Sequence, residues 1–412
     1  MTNCSRWGVW TMCAAMSIAL GCYDTGVRDV DAPSDAPTGP PSFSERCALA
    51  WLRTIPVDPA GVGFVTSIAV DRDENVLVSF DNSDAFTVDG VRYPGGAYLM
   101  GVDRENRLQL PPIERVVRLA SAGGRIIGAV TDASGMSRLV EIDARTGETL
   151  RDFGGFRAEG IWEPEAAFVG ETLVWSMTVR GEFALPGEPI RVWPVVDVVV
   201  AARPDGWRGI AEFHDRMILT RSPEGALLMG ARGPLCFNGV CQDALSTRRL
   251  VAEDGSVRSV PEALLDRYAF GIRALDDGSF VTAGPGLAAW NTSGEMRWMQ
   301  PVPSHSLRGW GVDARGGRVV ALTRIEGEPT VFLGEVRIEV GVHTQGLFVE
   351  FALTDGTPLR WWRIENLDDG RSGLGWFVMG SSGRVYVTGS ADPIVDVCGM
   401  RVTDGLFIAA FD

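Results

Sequence analysis

The run from Asp71 to Asn75 reads Asp-Arg-Asp-Glu-Asn, and its alternating carboxylates and amide could supply oxygen ligands to a cation. Calcium takes such ligands, but a calcium loop also needs further oxygens, usually a bidentate carboxylate later in the chain, and a glycine at its sharp turn. Here Glu74 and Asn75 occupy the turn position. We therefore predict a solvated β-turn at this run and no metal site.

Other patterns that would support catalysis are also missing. The three histidines, His214, His305 and His343, lie too far apart to form a local metal or base motif. The chain has no lysine and therefore no phosphate-binding loop of the Gly-Lys type. Gly380–Gly383 reads Gly-Ser-Ser-Gly and predicts a turn, not a nucleophile elbow. The sequence thus predicts no catalytic residue, metal or cofactor, although a site assembled from distant loops would leave no local motif.

The N-terminus carries the pattern of an export signal. Residues 1–21 contain one charge, Arg6, followed by a largely apolar run of signal-peptide length, shorter than the roughly 20 residues of a membrane span. The run ends Ala-Leu-Gly-Cys22, which resembles the lipobox of bacterial lipoproteins. The resemblance implies that the thiol of Cys22 receives a diacylglyceryl group and that Cys22 becomes the first mature residue. The alternative is an ordinary cleavage site followed by a chance cysteine.

The segment after Cys22 predicts how the protein is held. Residues 22–46 are rich in aspartate and proline and lack hydrophobic periodicity, so we expect a flexible tether ahead of a folded domain at 47–412. The expected location is the bacterial cell envelope (outer membrane, periplasm or cell surface), with the lipid as the only membrane contact. The net charge of −15 argues against nucleic acid as a partner, since that needs clustered positive charge.

Four cysteines follow the tether, an even number in a chain with an export signal. Cys236 and Cys241 flank Phe-Asn-Gly-Val, and Asn-Gly is a strong two-residue hairpin signal. In such a hairpin the two cysteines face each other at a distance that suits a disulfide. Elimination then pairs Cys47 with Cys398. The alternatives are four free thiols or, less favoured, a metal site.

These candidate residues must be positioned by a fold whose composition favours β-structure. Gly 50 and Pro 23 among 412 residues exceed the roughly 12% share in ordinary globular domains, while 45% hydrophobic residues suffice for a packed core. A core crossed by so many turns predicts an all-β fold. The length allows about two or three domains, or one closed repeat architecture.

One strand–turn–strand pattern recurs along the folded region, clearest in SIAVDRDENVLVSF at 67–80 and FVMGSSGRVYVT at 377–388. Successive turns are 50, 46, 55, 53, 39 and 66 residues apart, at Glu74, Gly124, Gly170, Gly225, Gly278, Gly317 and Gly383. A period of about 40–50 residues with several short strands is typical of a β-propeller blade. We predict a single β-propeller of seven four-stranded blades, while the spacings of 39 and 66 leave six or eight blades open.

A second strand pair follows in most repeats, and the last copy is incomplete. Residues 346–362 contain both strands of this pair, whereas 405–412 contain one strand before the sequence ends. The segment 48–55, ALAWLRTI, matches 358–365, PLRWWRIE. We therefore predict that the N-terminal strand completes the last blade, which closes the ring and removes two sheet edges.

The repeats resemble those of β-propellers in bacterial envelope proteins, best at Val385–Gly389 and Gly405–Ile408. Ile142–Glu148 is similar to the repeat of quinoprotein-type propellers, which include an outer-membrane assembly lipoprotein. The resemblance spans most of the folded region and implies the fold and an envelope setting. It implies no particular activity, because its motifs are strand and turn patterns.

The tryptophans recur at the ends of the predicted blades, as at Trp51, Trp298 and Trp361. We predict that they form core between blades and not a carbohydrate-binding platform. The expected function is a non-enzymatic binding or scaffold module that presents loops to a protein or glycan partner. The alternatives are a propeller enzyme acting on polysaccharide, a quinoprotein-type oxidoreductase, which would bind a coloured cofactor and need calcium, and a structural surface-layer component.

Overall fold

The computed structural model describes residues 45–412, apart from short segments at 59–62, 204–205, 214–216, 223–224, 231–232, 238–239, 245–246, 252–256, 260–270, 276–278, 284–285, 292–294, 302–306, 326–329, 334–335, 341–343 and 368–372. The described residues form strands and tight turns. No helix occurs among them, so none of these residues lies in a helix that could cross a bilayer.

The strands of the first three blades follow one another along the chain after β1 (Leu49–Pro56). Blade 1 contains β2 (Gly63–Val70), β3 (Val76–Asn82), a short hairpin of β4 (Phe86–Val88) and β5 (Val91–Tyr93), β6 (Gly96–Val102) and β7 (Leu108–Glu114). Blade 2 contains β8 (Val116–Ala122), β9 (Arg125–Thr131), β10 (Met136–Ile142) and β11 (Thr149–Ala158). Blade 3 contains β12 (Ile161–Val169), β13 (Thr172–Ala184), β14 (Arg191–Arg203) and β15 (Gly206–Phe213).

The remaining strands repeat the pattern. Blade 4 contains β16 (Met217–Ser222), β17 (Gly225–Gly230), an inserted hairpin of β18 (Gly233–Phe237) and β19 (Val240–Ala244), β20 (Thr247–Val251) and β21 (Val257–Ser259). Blade 5 contains β22 (Gly271–Ala274), β23 (Phe280–Ala283), β24 (Gly286–Trp290) and β25 (Met296–Pro301). Blade 6 contains β26 (Leu307–Arg315), β27 (Arg318–Ile325), an inserted hairpin of β28 (Thr330–Leu333) and β29 (Val336–Glu339), β30 (Thr344–Ala352) and β31 (Pro358–Asn366). Blade 7 contains β32 (Gly373–Met379), β33 (Val385–Val397), β34 (Met400–Phe411) and β1.

Within each blade the four strands pair antiparallel in order from the first to the fourth. The first strands contact one another in the circular order β2, β8, β12, β16, β22, β26, β32 and back to β2. The described strands therefore form a closed β-propeller, as the repeat pattern predicted. In the part of the chain that the structure describes, seven such four-stranded units make up the ring.

Hydroxyl groups link the first strands of blades 1 and 2, which form no ladder with each other. The hydroxyl of Ser67 accepts the amide of Leu119 at 2.9 Å, and that of Ser121 accepts the amide of Val70 at 2.8 Å. Because these two inner strands do not pair, side-chain hydroxyls satisfy backbone groups that a ladder would otherwise pair.

The predicted closure by the N-terminal strand is confirmed. β1 pairs antiparallel with β34 along its whole length, from Leu49 opposite Phe411 to Pro56 opposite Gly405. Just before β1, the amide of Arg46 donates to the carbonyl of Trp361 in blade 6 at 3.0 Å. The N-terminal segment thus completes blade 7 and also contacts the neighbouring blade.

The hydrophobic core lies between adjacent blades. Each buried cluster combines residues from two neighbouring blades, such as Trp175 of blade 3 with Leu139 of blade 2. Trp298 and Trp361 are each 8% exposed, and the indole of Trp298 donates to the carbonyl of Leu353 in the next blade at 2.8 Å. The indole of Trp51 donates in the same way to the carbonyl of Arg104. These contacts agree with the predicted packing of tryptophans between blades.

Candidate functional site

The two ends of the propeller are built differently. One end, the turn face, carries the connections between first and second strands and between third and fourth strands. Those that the structure describes are tight turns that repeatedly use an aspartate as internal acceptor. Asp103, for example, accepts the amides of Glu105 and Arg107 and the side chain of Gln109. Burial raises the pKa of Asp103, but these hydrogen bonds and the Arg107 charge outweigh it, so the pKa lies below its ordinary value.

The opposite end, the hairpin face, carries the connections between second and third strands and the links between blades. Five of the seven described blades lengthen the second–third connection there. Blades 1, 4 and 6 insert the hairpins β4–β5, β18–β19 and β28–β29, and blades 3 and 7 extend their own strands, β13–β14 and β33–β34. The spacing of 66 residues that left the blade number open contains the β28–β29 hairpin, and the spacing of 39 belongs to blade 5, where Ala283 and Gly286 flank a short connection.

These hairpins lean onto the outer strand of the preceding blade. Ala158 of β11 pairs with Phe183 of β13, Phe213 of β15 pairs with Leu235 of β18, and Ile364 of β31 pairs with Val397 of β33. An outer strand of a propeller blade is an open sheet edge, which can pair with other chains. The hairpins therefore cover part of these edges and add surface at one end of the molecule.

Exposed apolar side chains are concentrated on the hairpin face. Fourteen large apolar side chains are exposed among the described residues. Four of them lie in the outer strands β11, β25 and β31, namely Leu150, Met296, Met299 and Leu359. The other ten begin the inner strands or belong to the hairpins and inter-blade links, namely Phe64, Val91, Val116, Met136, Trp162, Ile190, Val192, Val195, Leu367 and Met400. Apolar side chains are thus exposed mainly at this end of the propeller, which makes the hairpin face the candidate interaction surface.

A concave site of about 290 Å³ lies on this face between blades 2 and 3. Its lining combines the end of β11 with the β13–β14 hairpin and includes Gly135, Arg157, Ala158, Glu159 and Glu182. Arg157 binds one carboxylate oxygen of Glu182 with two nitrogens, at 2.6 and 2.7 Å. The backbone amide of Glu159 donates to the carbonyl of Glu182 at 2.8 Å, which holds the two segments together.

Two glycines shape this site. Gly181 has φ of 96°, and a β-carbon there would lie 2.3 Å from the carboxylate of Glu159. Gly160 has φ of 65°, and the ring of Trp162 lies 3.5 Å from the position of its β-carbon. Only glycine adopts these conformations readily, so both glycines allow the neighbouring side chains to approach the backbone closely. The carboxylate of Glu159 therefore lies against Gly181, and the ring of Trp162 lies against Gly160, on two segments that are paired through Arg180 and Glu182.

An ion pair with a buried carboxylate joins the first strands of blades 5 and 6. Arg273 of β22 binds Asp313 of β26 at 2.7 Å, and Asp313 also accepts the amides of Ala314 and Met379. The charge of Asp313 raises the pKa of Arg273 against the effect of burial, with a further contribution from Glu165. Both oxygens of Asp313 are thus engaged in holding blades 5, 6 and 7 together.

The acidic run at Asp71 is a turn, as predicted, but its glutamate is buried and not solvated. Glu74 has φ of 64° and is 2% exposed. Its carboxylate accepts the amide of Ser382 at 2.5 Å and the hydroxyl of Tyr386 at 3.2 Å, both in blade 7, and lies 3.4 Å from Arg104. The prediction of a solvated turn was therefore wrong for Glu74, because the turn of blade 7 packs over it.

The surroundings of Glu74 shift two pKa values. Burial raises the pKa of Glu74, but hydrogen bonds from Ser382 and Ser381 and the charge of Arg104 outweigh it and the pKa lies below its ordinary value. Burial and the adjacent carboxylate of Glu74 raise the pKa of Tyr386. The carboxylate of Glu74 is therefore charged and the phenol of Tyr386 neutral at neutral pH. Their hydrogen bond joins blade 1 to blade 7 at the ring closure.

The predicted cysteine positions fall partly within the described residues. Cys47 and Cys398 form a disulfide across 351 residues of sequence, with Cα atoms 5.9 Å apart. Cys236 and Cys241 are register partners in the β18–β19 hairpin. The structure describes the backbone of these residues but not their side chains, so their disulfide stays a prediction. Cys22 lies outside the described residues.

The three histidines, His214, His305 and His343, also lie outside the described residues. Within the described part of the chain, no three side chains of His, Cys, Asp or Glu converge in a way that could hold a metal ion.

No protein-family model matches the chain, and no curated protein sequence matches it. Similar solved structures are propellers or propeller-bearing proteins at low identity. Sqt1 of Chaetomium thermophilum, bound to the N-terminus of ribosomal protein L10, is 12% identical over 85% of this chain and 96% of that chain, with a TM-score of 0.44. Virginiamycin B lyase of Staphylococcus aureus is 10% identical over 87% and 98%, with a TM-score of 0.43. The Dos1 propeller is 9% identical over 88% and 96%, with a TM-score of 0.41. The propeller assignment here rests on the strand order and the circular contacts described above.

Sequence reasoning missed the concave site and the buried Glu74. Glu159 and Glu182 belong to no recognisable motif. The hairpin face could have been located from the repeat spacings, because most of them are longer than the shortest spacing of 39 residues. An insertion of that kind in a regular repeat indicates a loop on one face.

Proposed function

We propose that this protein is an exported, lipid-anchored β-propeller that acts as a non-enzymatic binding module at the bacterial cell envelope. The hairpin face contacts a protein partner, and the pairing of β1 with β34 closes the ring that presents this face. The observation that carries this proposal is the concentration of exposed apolar side chains on the hairpin face, ten of the fourteen among the described residues. Interfaces use such apolar and aromatic residues as anchors, surrounded by polar side chains.

The lipid anchor is supported by the sequence ending Gly21-Cys22 after an apolar run. Substituting Cys22→Ala is expected to release the protein from the membrane fraction into the soluble extract. Retention in the membrane fraction would contradict the anchor while leaving the binding role of the propeller open.

The binding role is tested by site-specific photo-cross-linking in cells. A benzophenone amino acid is placed at Val91 or Val192 on the hairpin face and, as matched exposed controls, at Leu150 or Leu359 in the outer strands. We expect a discrete cross-linked protein species from the hairpin positions and none from the controls. Equal cross-linking from both sets, or none from either, would contradict a hairpin-face partner.

A further inference from the structure

The surface between blades 2 and 3 has the chemistry of a site for an arginine side chain. This surface, the blade 2–3 surface, consists of Met136, Arg157, Glu159, Trp162, Glu182 and Val192. Glu159 contributes an exposed carboxylate, and its hydrogen bonds to other described residues are made only with Glu182. Glu182 is neutralised by Arg157 through one oxygen. The carboxylate of Glu159 is therefore the negative charge that this surface presents to a partner.

Apolar groups surround that carboxylate. Trp162 is 41% exposed and its ring lies beside Gly160, the residue that follows Glu159. Met136 is the register partner of Arg157, and Val192 is the register partner of Glu182, so both flank the ion pair. Val192 is 74% exposed, the highest value among the large apolar side chains of the described residues. A carboxylate and an exposed indole that pack on the same pair of backbone segments fit a planar cation that can pair with one and stack on the other.

Resting on the proposed function, we propose that the blade 2–3 surface binds an arginine side chain of an extended peptide segment of the partner. The guanidinium pairs with the carboxylate of Glu159 and stacks on Trp162. Apolar side chains on the same face of the segment, two residues before or after the arginine, pack on Met136 and Val192, since side chains of an extended chain alternate. The concavity of about 290 Å³ is large enough for one such side chain. The formal net charge of −15 favours the approach of a cationic segment.

Lysine is expected to bind this surface more weakly than arginine. A guanidinium is planar and less strongly hydrated, so it combines a carboxylate contact with stacking on an aromatic ring, whereas an ammonium group acts as a compact charge. The preference for arginine over lysine therefore distinguishes this site from a purely electrostatic attraction.

The test is selection of a random twelve-residue peptide library on the full mature chain, followed by affinity measurements with labelled single peptides. We expect selected peptides to contain arginine with an aliphatic or aromatic residue two positions away. Replacing that arginine by lysine should weaken binding severalfold, and replacing it by glutamate should abolish binding. Selection of acidic peptides, of peptides without a basic residue, or of none would overturn the proposal.

Four variants locate the site. Trp162→Ala and Glu159→Gln should each weaken the selected peptides by about tenfold or more, as the loss of a stacked or charge-assisted contact does. Leu150→Ala and Glu171→Gln are matched controls, because both side chains are exposed and lie away from the hairpin face. They should change the affinity by less than about twofold. Equal effects in the two sets would overturn the proposal, and unchanged melting of all four variants excludes unfolding as the cause.

Failure of this inference and failure of the proposed function can be told apart. A hairpin-face cross-link in cells that persists in the Trp162→Ala and Glu159→Gln variants would leave the binding module intact and overturn only the arginine site. If the chain without these two substitutions forms no cross-link from any hairpin-face position, the proposed function itself is contradicted.

Discussion

The turn face and the hairpin face of this propeller are built from the same repeat, but they differ in the length of their connections and in which side chains they expose. On the turn face, the connections that the structure describes are short turns, and their polar side chains make internal contacts, as in the junction of Glu74 with Ser382 and Tyr386. On the hairpin face, most connections are lengthened and leave apolar side chains such as Val192 and Trp162 exposed. The difference indicates that the turn face uses its polar side chains for contacts between blades, whereas the hairpin face leaves apolar side chains available to a partner.

The largest effect is expected from removing the strand that closes the ring. Deleting residues 47–56 removes β1 and leaves β34 as an open edge with its buried face uncovered. We expect loss of cooperative thermal unfolding, measured by calorimetry and by circular dichroism.

A shortened connection on the hairpin face provides a matched comparison. Replacing residues 186–189, the tip of the β13–β14 connection, by Asn-Gly should shift the melting temperature only slightly, because that tip is exposed. If both deletions have equal effects, the assignment of stability to the closure is wrong.

The next largest effect is expected from the disulfide. Cys47 and Cys398 close a loop of 351 residues, which in the chain-entropy model stabilises the folded state by about 5–6 kcal/mol. A Cys47→Ser and Cys398→Ser double variant should therefore unfold at a much lower urea concentration than the oxidised wild type. Adding a reductant to the wild type should reproduce this shift, and an unchanged midpoint would contradict a closed covalent ring.

A smaller effect is expected from the buried carboxylate at the ring closure. Glu74→Gln removes a charge held by Ser382 and Arg104 and should lower the free energy of unfolding by about 2–4 kcal/mol at neutral pH. Urea titrations at fixed pH measure this difference. The exposed Glu171→Gln variant, at 73% side-chain exposure, should change the free energy by less than about 0.5 kcal/mol.

The pH dependence of the Glu74 contribution follows from its lowered pKa. Because the folded pKa lies below the unfolded value, near 4.5, the contribution is fully present above that pH and is lost as the pH falls through the folded pKa. Wild type and Glu74→Gln should therefore converge in stability under acid conditions. A constant difference between them down to pH 3 would contradict this assignment.

The smallest effect on stability is expected from the exposed residues of the hairpin face. Val192→Asp and Trp162→Ala should each change the free energy of unfolding by less than about 1 kcal/mol, because both side chains are exposed. Their effect should appear instead as a loss of partner cross-linking. A large destabilisation would mean that these side chains serve the fold, which would remove the contrast between the two faces.

Several features of the fold could be predicted from local sequence. The turns at Glu74, Gly124, Gly170 and Gly317 all have positive φ in the structure, and the similarity of 48–55 to 358–365 identified β1 as the closing strand. These predictions succeeded because strand alternation and turn glycines depend on residues close together in the sequence. The pairing of Cys47 with Cys398, predicted by elimination, agrees with the same closure.

The candidate site could not be predicted in the same way. Glu74 looked like a solvated turn residue because its main partner, Ser382, is 308 positions away. Glu159 and Glu182 meet only because the β13–β14 hairpin folds back onto β11 of the preceding blade. The periodicity of the sequence does not indicate how far a hairpin leans or which strand of the neighbouring blade it covers.

Short stretches of sequence thus predict the order of strands and turns, the closed repeat and the export signal. They do so because alternation, glycine and proline act within a few residues. Which polar groups are buried, which hairpins lengthen the interaction surface and which apolar side chains stay exposed depend on contacts between blades. These contacts join residues tens to hundreds of positions apart, and their free energies arise only when the ring is assembled and water is excluded between its blades.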